Sequence, residues 1–291
     1  MMNKDFFVGS LVGALKSAFP KADVTQDTIL HINEVKDVIC VKIGNIAPAI
    51  YIDNIYDRYM NGEKDVILSV INTINEIRLP DGFEDTDIEQ YKDNLFMQLI
   101  NTDANKELLN NVPHREIEDL SIIYKIKIRD DLNSITSTIV TNEMMKFWGE
   151  TEEDLYNRQR TREIMPENIM PLDDLMKVID PFYDETTESS PLIYISNQHG
   201  YNGSIAILYP GVLDEVCERL NTDNLLVLPS SIHECLALSE EFSEDRELIS
   251  LVRSINAGVV EPQLRLSSNV YYYKKGSGKI MGTAKDKVAI L

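Results

Sequence analysis

The sequence predicts an α+β fold in which antiparallel strand pairs are separated by helices. Short β-branched segments occur in neighbouring pairs, as in Thr28–Ile32 with Val38–Ile43. Apolar residues at helical spacing fall between such pairs, for example from Val66 to Ile74. The segments do not alternate strictly as strand and helix, so a parallel βαβ sheet is disfavoured.

The first helix follows from four apolar residues at helical spacing, and Pro20 ends the pattern. These residues are Val8, Leu11, Val12 and Leu15. A polar segment between Thr28–Ile32 and Val38–Ile43 then predicts a hairpin. A second helix follows, with one apolar face made of Val66, Ile67, Val70, Ile71 and Ile74.

Leu95–Ile100 predicts a strand, and Ala104–Asn111 predicts a short helix that ends before Pro113. The segments Leu120–Ile128 and Ser134–Val140 predict a second antiparallel pair. Because Pro113 separates these two groups, we expect an N-terminal α+β subdomain over residues 1–112 and a C-terminal one over 113–291, closely packed together.

Thr151 to Asp154 is close to a capping box, which predicts the start of a helix. Further strands are expected at Leu192–Ser196, Ser204–Leu208, Leu225–Leu228 and Cys235–Leu238. A last group of glycines and polar residues at 276–279 predicts a hairpin turn. Asp180–Pro191 is rich in acids and prolines, so we expect an exposed connection.

Composition limits the classes of function. The 291 residues include 48 acidic and 28 basic side chains, with a net charge of -20, which makes direct nucleic-acid binding unlikely. We expect no membrane span and no signal peptide, because no uncharged apolar segment approaches about 18 residues. Cys40, Cys217 and Cys235 are far apart and flanked by aliphatic residues, as expected for a reduced cytoplasmic protein.

The segment Leu228 to Glu234 is the nearest approach to a catalytic site, because it combines two hydroxyls, an imidazole and a carboxylate. A similar combination of imidazole and carboxylates begins at His114. The candidate residues are therefore His114, Asp119, Ser230, Ser231, His233 and Glu234. No zinc-binding spacing, serine-hydrolase motif or phosphate loop accompanies them, so ordinary hydrogen bonding is the competing interpretation.

The other two histidines are weaker candidates. His31 lies in a predicted strand, and His199 lies in a turn-rich loop that ends at the Asn202-Gly203 step. We expect packing or surface roles for both, and neither a metal nor a cofactor is predicted.

Several segments together resemble the family known as domain of unknown function 5688. The resemblance is carried by Val112–His114 with Asp119-Leu120, Thr141–Glu143 with Trp148-Gly149, Asn202–Ser204 with Leu208–Gly211, Leu228–Glu234, and Ala47–Ile52 with Tyr56, Tyr59 and Gly62. The layout is also distantly similar to the YtpQ-like family. The resemblance implies a soluble protein of Gram-positive bacterial origin with no assigned reaction.

The leading hypothesis is a cytoplasmic protein that binds a protein or small ligand without turnover. One alternative is a hydrolase or metal-dependent enzyme that uses His114 or His233 with the neighbouring candidates. The other is an acidic anti-defence protein that imitates nucleic acid. A pocket beside His114 or His233 is the feature that would most help to separate these hypotheses.

Overall fold

The structure is a computed structural model that describes residues 2–43, 47–76, 93–131, 134–160, 168–180, 183, 190–197, 200–244, 250, 254 and 260–282. The chain divides into two compact units, Met1–Asp85 and Thr86–Leu291. Each unit combines helices with antiparallel sheet, which confirms the α+β class.

The first unit contains an antiparallel sheet of order β1–β2–β3. Its elements are α1 (Lys4–Ala18), β1 (Asp23–His31), β2 (Glu34–Lys42), β3 (Ala49–Tyr51), α2 (Ile52–Met60) and α3 (Val66–Glu76). The predicted opening helix, hairpin and second helix are all present. Leu11 and Leu15 of α1 are fully buried in a core that also contains Ile39 of β2 and Val70 of α3.

The second unit begins with a smaller sheet and the helices that follow it. Its elements are β4 (Leu95–Asn101), a 3₁₀ helix (Asp103–Asn105), α4 (Lys106–Leu109), β5 (His114–Ile117), β6 (Leu120–Asp131), β7 (Ser134–Ile139), α5 (Asn142–Trp148) and α6 (Glu152–Arg160). The strand order is β4–β6–β5, and β7 also pairs with β6. The predicted pairing of Leu120–Ile128 with Ser134–Val140 is confirmed.

A six-stranded antiparallel sheet follows in the same unit, with the order β13–β12–β10–β11–β9–β8. Its elements are β8 (Asn168–Pro171), α7 (Leu172–Ile179), β9 (Ile193–Ser196), a 3₁₀ helix (Gly203–Leu208), α8 (Val212–Arg219), β10 (Asn224–Leu228), β11 (Cys235–Ser239), 3₁₀ helices (Glu240–Glu244 and Pro262–Leu264), β12 (Tyr271–Lys274) and β13 (Ile280–Gly282). The hairpin turn expected at 276–279 joins β12 to β13, and Gly276 has a φ of 77° there.

The expected boundary at Pro113 falls within the second unit, where β4 pairs with β6 across that position. Folding domains at 1–112 and 113–291 stay a prediction. Most of the expected connection Asp180–Pro191, together with His199, lies outside the described residues.

The strand expected at Ser204–Leu208 is wrong, because this segment lies in the 3₁₀ helix Gly203–Leu208. Asn202 precedes it with a left-handed φ of 54°, which turns the chain before a strand can form. The backbone N–H of Ser204 then bonds to Ile232 O at 3.4 Å. Residues Gly203 to Ile207 are all buried. The segment is therefore apolar because it is surrounded by protein, and not because it forms a strand.

Candidate functional site

Four of the six candidate residues lie in the connection between β10 and β11. These two strands pair in antiparallel register, with Leu228 opposite Leu236. Within the connection, Ser230 Oγ donates to Glu234 Oε1 at 2.8 Å, and Ser231 Oγ accepts from the His233 backbone N–H at 2.9 Å. Both hydroxyls therefore stabilise the turn itself.

A second segment of the chain packs against this connection. The backbone N–H of Asn202 donates to His233 Nδ1 at 3.1 Å. Ser204 Oγ donates to Ile232 O at 2.9 Å, and Ser196 Oγ donates to His233 O at 2.7 Å. We call Ser196, Asn202, Gly203, Ser204 and His233 the His233 cluster.

Gly203 is the point of closest approach in the His233 cluster. A Cβ atom at this position would lie 2.5 Å from Asn197 N and 2.7 Å from His233 O, and closer still to Ser196 Oγ. Two of these neighbours are backbone atoms that cannot move aside easily. Only glycine fits here, because the backbone itself fills the space that a side chain would need.

The hydrogen bond from Asn202 fixes the protonation pattern of the neutral His233 ring. A backbone N–H can only donate, so Nδ1 is the acceptor and Nε2 carries the proton. Burial lowers the pKa of His233, and the nearby Glu234 acts in the opposite direction. The Tyr201 ring lies 5.0 Å from the imidazole between centroids. His233 therefore offers an N–H donor at Nε2.

His114 lies at the start of β5, beside an open cleft of about 490 Å³. The cleft is lined by Leu109, Asn110, Val112, Pro113, His114, Asn142, Met145, Glu150 and Glu152. His114 Nδ1 is 3.0 Å from Val112 O. A carbonyl can only accept, so the neutral ring carries its proton on Nδ1 and leaves Nε2 as an acceptor. We call this group of residues the His114 cleft.

The two carboxylates of the His114 cleft are held by basic and phenolic side chains. Arg115 donates to both oxygens of Glu152, at 3.1 Å and 2.8 Å, and Tyr124 OH also donates to Glu152. Arg158 Nη2 is 2.9 Å from Glu150 Oε1. Burial raises the pKa of Tyr124, and its bond to Glu152 raises it further. Tyr124 therefore stays a hydrogen-bond donor.

Asp119 lies in the turn between β5 and β6, apart from the other candidates. It accepts from Ser267 Oγ at 2.7 Å and from Tyr271 OH. Asp119 thus connects the small sheet to β12 of the large sheet. No hydrogen bond among the described residues joins Asp119 to His114 or His233.

Sequence reasoning missed the partners that define both sites. From the sequence, Asn202 is predicted only as part of a turn, and Glu152 only as part of a helix start. The Asn202 side-chain amide is buried and has no hydrogen-bond partner among the described residues. The one usable signal was the resemblance, because the segments that carry it include residues of both sites.

Two further findings concern only the described part of the chain. It contains no group of three or more His, Cys, Asp or Glu side chains placed to hold a metal ion. In the same residues, no helix is both long enough and apolar enough to cross a membrane.

The model of a family of unknown function, DUF5688, matches residues 5–275. The chain belongs to the DUF5688 family. No curated protein and no solved structure matches it. The distant similarity to the YtpQ-like family stays a prediction. Within this DUF5688 chain, the resembling segments Asn202–Ser204 and Leu228–Glu234 meet in the His233 cluster, while Val112–His114 contributes to the His114 cleft.

Proposed function

We propose that this DUF5688 protein acts by binding, without turnover, and that the His114 cleft takes an amine-bearing group. The main support for the proposal is that the His114 cleft combines hydrogen-bond acceptors with an apolar surface. Glu150, Glu152 and the neutral ring of His114 supply acceptors. The apolar surface is formed by Leu109, Val112, Pro113 and Met145.

An amine with a short aliphatic part complements this cleft. The volume of about 490 Å³ lies within the range of small-ligand sites. An ammonium group donates up to three hydrogen bonds, which suits carboxylate oxygens and an imidazole lone pair. The aliphatic part would remove apolar surface from water, which favours binding.

Charge and preorganisation also support this ligand class. A net charge of -20 attracts cations at long range. Arg115 and Tyr124 hold Glu152, and Arg158 holds Glu150, so less side-chain freedom is lost when a ligand binds. Glu150 and Glu152 remain partly exposed, at 18% and 25% of their side-chain surfaces.

The bonds within the His233 cluster support binding in preference to hydrolysis. A serine hydrolase needs an imidazole nitrogen that faces the nucleophilic hydroxyl. His233 Nδ1 instead accepts from Asn202, and the Ser230 hydroxyl donates to Glu234. The hydrolase, metal-enzyme and nucleic-acid-mimic hypotheses stay predictions, as does the cytoplasmic location.

Isothermal titration calorimetry tests the proposal with n-butylamine and agmatine, and n-butyrate serves as the oppositely charged control. We expect saturable binding of the amines and none of butyrate. His114→Phe keeps the ring shape but removes the acceptor, so binding should weaken at least tenfold. His31→Phe, at another histidine in a strand, should leave it unchanged.

The amine could belong to a free small molecule or to a lysine side chain of a partner protein. A tripeptide with a central lysine and blocked ends distinguishes these two sources. Binding of the peptide but not of the free amines would indicate a protein partner. Equal binding of butyrate, full binding by His114→Phe, or consumption of the amine detected by mass spectrometry would overturn the proposal.

A further inference from the structure

Two buried polar side chains share one face of the small sheet. Lys125 of β6 is 9% exposed and Gln98 of β4 is 0% exposed. Lys125 pairs with Phe96, and Gln98 pairs with Ile123. Side chains alternate along a strand, so Lys125, Phe96 and Gln98 lie on the same face and Lys125 is the diagonal neighbour of Gln98.

Both polar groups lack a polar partner among the described residues. Gln98 Nε2 and Oε1 are buried without a hydrogen bond. For Lys125 Nζ, the described interaction is with the Phe96 ring, 5.9 Å from its centroid. Burial without compensation is unfavourable for the Gln98 amide, and beside it the Lys125 ammonium, on a side chain that is 9% exposed, carries a charge with no acidic partner among the described residues. Two such groups side by side point to a ligand that satisfies both.

The surroundings do not neutralise Lys125. The 3₁₀ helix Gly203–Leu208 packs against β4 and carries no titratable side chain. Among the side chains that the structure describes, register and alternation place three other titratable residues on this face, namely Lys127 of β6 and His114 and Glu116 of β5. Helix α6 also contacts β4, but its Glu152 bonds to Tyr124, which lies on the opposite face. Glu116 is 64% exposed and lies 4.0 Å from His114 Nε2.

We infer that Lys125 and Gln98 bind the carboxylate group of a small organic acid. The ammonium group donates to one carboxylate oxygen, and the amide Nε2 donates to the other. The Phe96 ring offers an apolar surface for the carbon part of the acid. One ammonium balances one negative charge, whereas a phosphate dianion would bring excess charge into a buried site.

The site has a defined pH dependence. Burial lowers the pKa of Lys125 to about 8. A carboxylate binds the charged amine, so bound acid raises the pKa and binding takes up a proton. Affinity should therefore fall as the pH rises through about 8, while the acid itself stays ionised. We expect at least tenfold weaker binding at high pH than at neutral pH.

Calorimetry and thermal unfolding with sodium acetate and sodium benzoate, at constant ionic strength, test the inference on the full chain. Inorganic phosphate is the control anion. We expect acetate and benzoate to raise the melting temperature and phosphate to have a smaller effect, because a ligand of the folded state shifts unfolding by mass action. Lys125→Met should weaken acid binding at least tenfold, and the matched change Lys127→Met on the same strand should not.

Gln98→Glu gives an independent test, because it places an internal carboxylate beside Lys125. This variant should unfold at a higher temperature and lose acetate binding, an outcome that a merely misfolded variant cannot imitate. The inference is overturned if acetate and benzoate do not bind the wild type, if Lys125→Met binds them equally well, or if phosphate matches them.

Discussion

His233 and His114 both lie beside carboxylates in sequence, yet the fold gives their rings opposite roles. The backbone N–H of Asn202 donates to His233 Nδ1, whereas Val112 O accepts from His114 Nδ1. Consequently His233 presents a donor at Nε2 and His114 presents an acceptor there. The first ring belongs to a network of backbone contacts, and the second borders an open cleft.

This difference shows that an adjacent carboxylate does not by itself make a histidine a base. Glu234 follows His233 directly, but Glu234 Oε1 accepts from Ser230. His114 Nε2 is 4.0 Å from Glu116 Oε1, beyond hydrogen-bond distance. In both places a backbone group sets the tautomer: Asn202, 31 positions away, for His233 and Val112, two positions away, for His114. We therefore expect changes in the His233 cluster to affect stability and changes in the His114 cleft to affect binding.

The largest effect is expected from Gly203→Ala in the His233 cluster. The new methyl group would meet Asn197 N at 2.5 Å and His233 O at 2.7 Å, and these backbone atoms cannot move aside without disrupting the turn. We expect a loss of about 3 kcal/mol or more in the free energy of unfolding, measured with urea. Gly13→Ala in α1 is the control, because nothing lies within 4 Å there. A Gly203→Ala variant as stable as the wild type would contradict this packing.

Glu152→Ala tests the supporting bonds of the His114 cleft. The change removes one of the two carboxylate partners of Arg115 and the acceptor of the buried Tyr124 hydroxyl. We expect a cost of about 2–4 kcal/mol in chemical denaturation, since both donors lose a charged partner. Glu153→Ala provides the matched control, because Glu153 is 61% exposed and also bonds to Arg115. Equal effects of the two changes would mean that the cleft wall is not held by Glu152.

The elements that were predicted correctly are those specified by local patterns. Alternating side chains in Leu120–Ile128 and the glycine turn at 276 indicate hairpins without help from distant residues. The helical segment Gly203–Leu208 was mistaken for a strand because its burial comes from neighbours such as Ile232, far along the chain. Short apolar segments of this kind are ambiguous from periodicity alone.

The two sites depend on contacts that no local pattern contains. Asn202 and His233 are 31 positions apart, and Arg115 and Glu152 are 37 positions apart. Sequence reasoning identified the chemistry-bearing residues Ser230 to Glu234. It could not find their partners, because strand order and backbone donors decide which nitrogen or oxygen remains available.

His233→Ala should have an intermediate effect, of about 1–3 kcal/mol, because the buried N–H of Asn202 loses its acceptor. Glu234→Ala should lower the free energy of unfolding by less than His233→Ala does.

The wild type should also lose stability in acid. The folded-state pKa of His233 lies below its ordinary 6.5, so the unfolded state takes up the proton first as the pH falls. The stability that the neutral His233 ring contributes is therefore fully present above pH 6.5, and it disappears as the pH falls through the folded-state pKa. Urea unfolding across this range should show a shallower acid loss in His233→Ala, and an unchanged profile would show that His233 does not titrate with unfolding.

The smallest change in stability, and the sharpest test of the comparison, comes from the tautomers themselves. Long-range ¹H–¹⁵N spectra of the imidazoles, recorded at a pH where both rings are neutral, report which nitrogen carries the proton. We expect His233 to be protonated on Nε2 and His114 on Nδ1, because their backbone partners are a donor and an acceptor respectively. Since the His114 side chain is 30% exposed, water can replace it as the donor to Val112 O, and His114→Ala should change the free energy of unfolding by less than about 1 kcal/mol. n-Butylamine should shift the Nε2 signal of His114 and leave that of His233 unchanged, since only the His114 ring both lines the cleft and has an acceptor at Nε2. If both rings carry the proton on Nε2, the cleft offers a donor in place of an acceptor, and the proposed preference for amines fails with it.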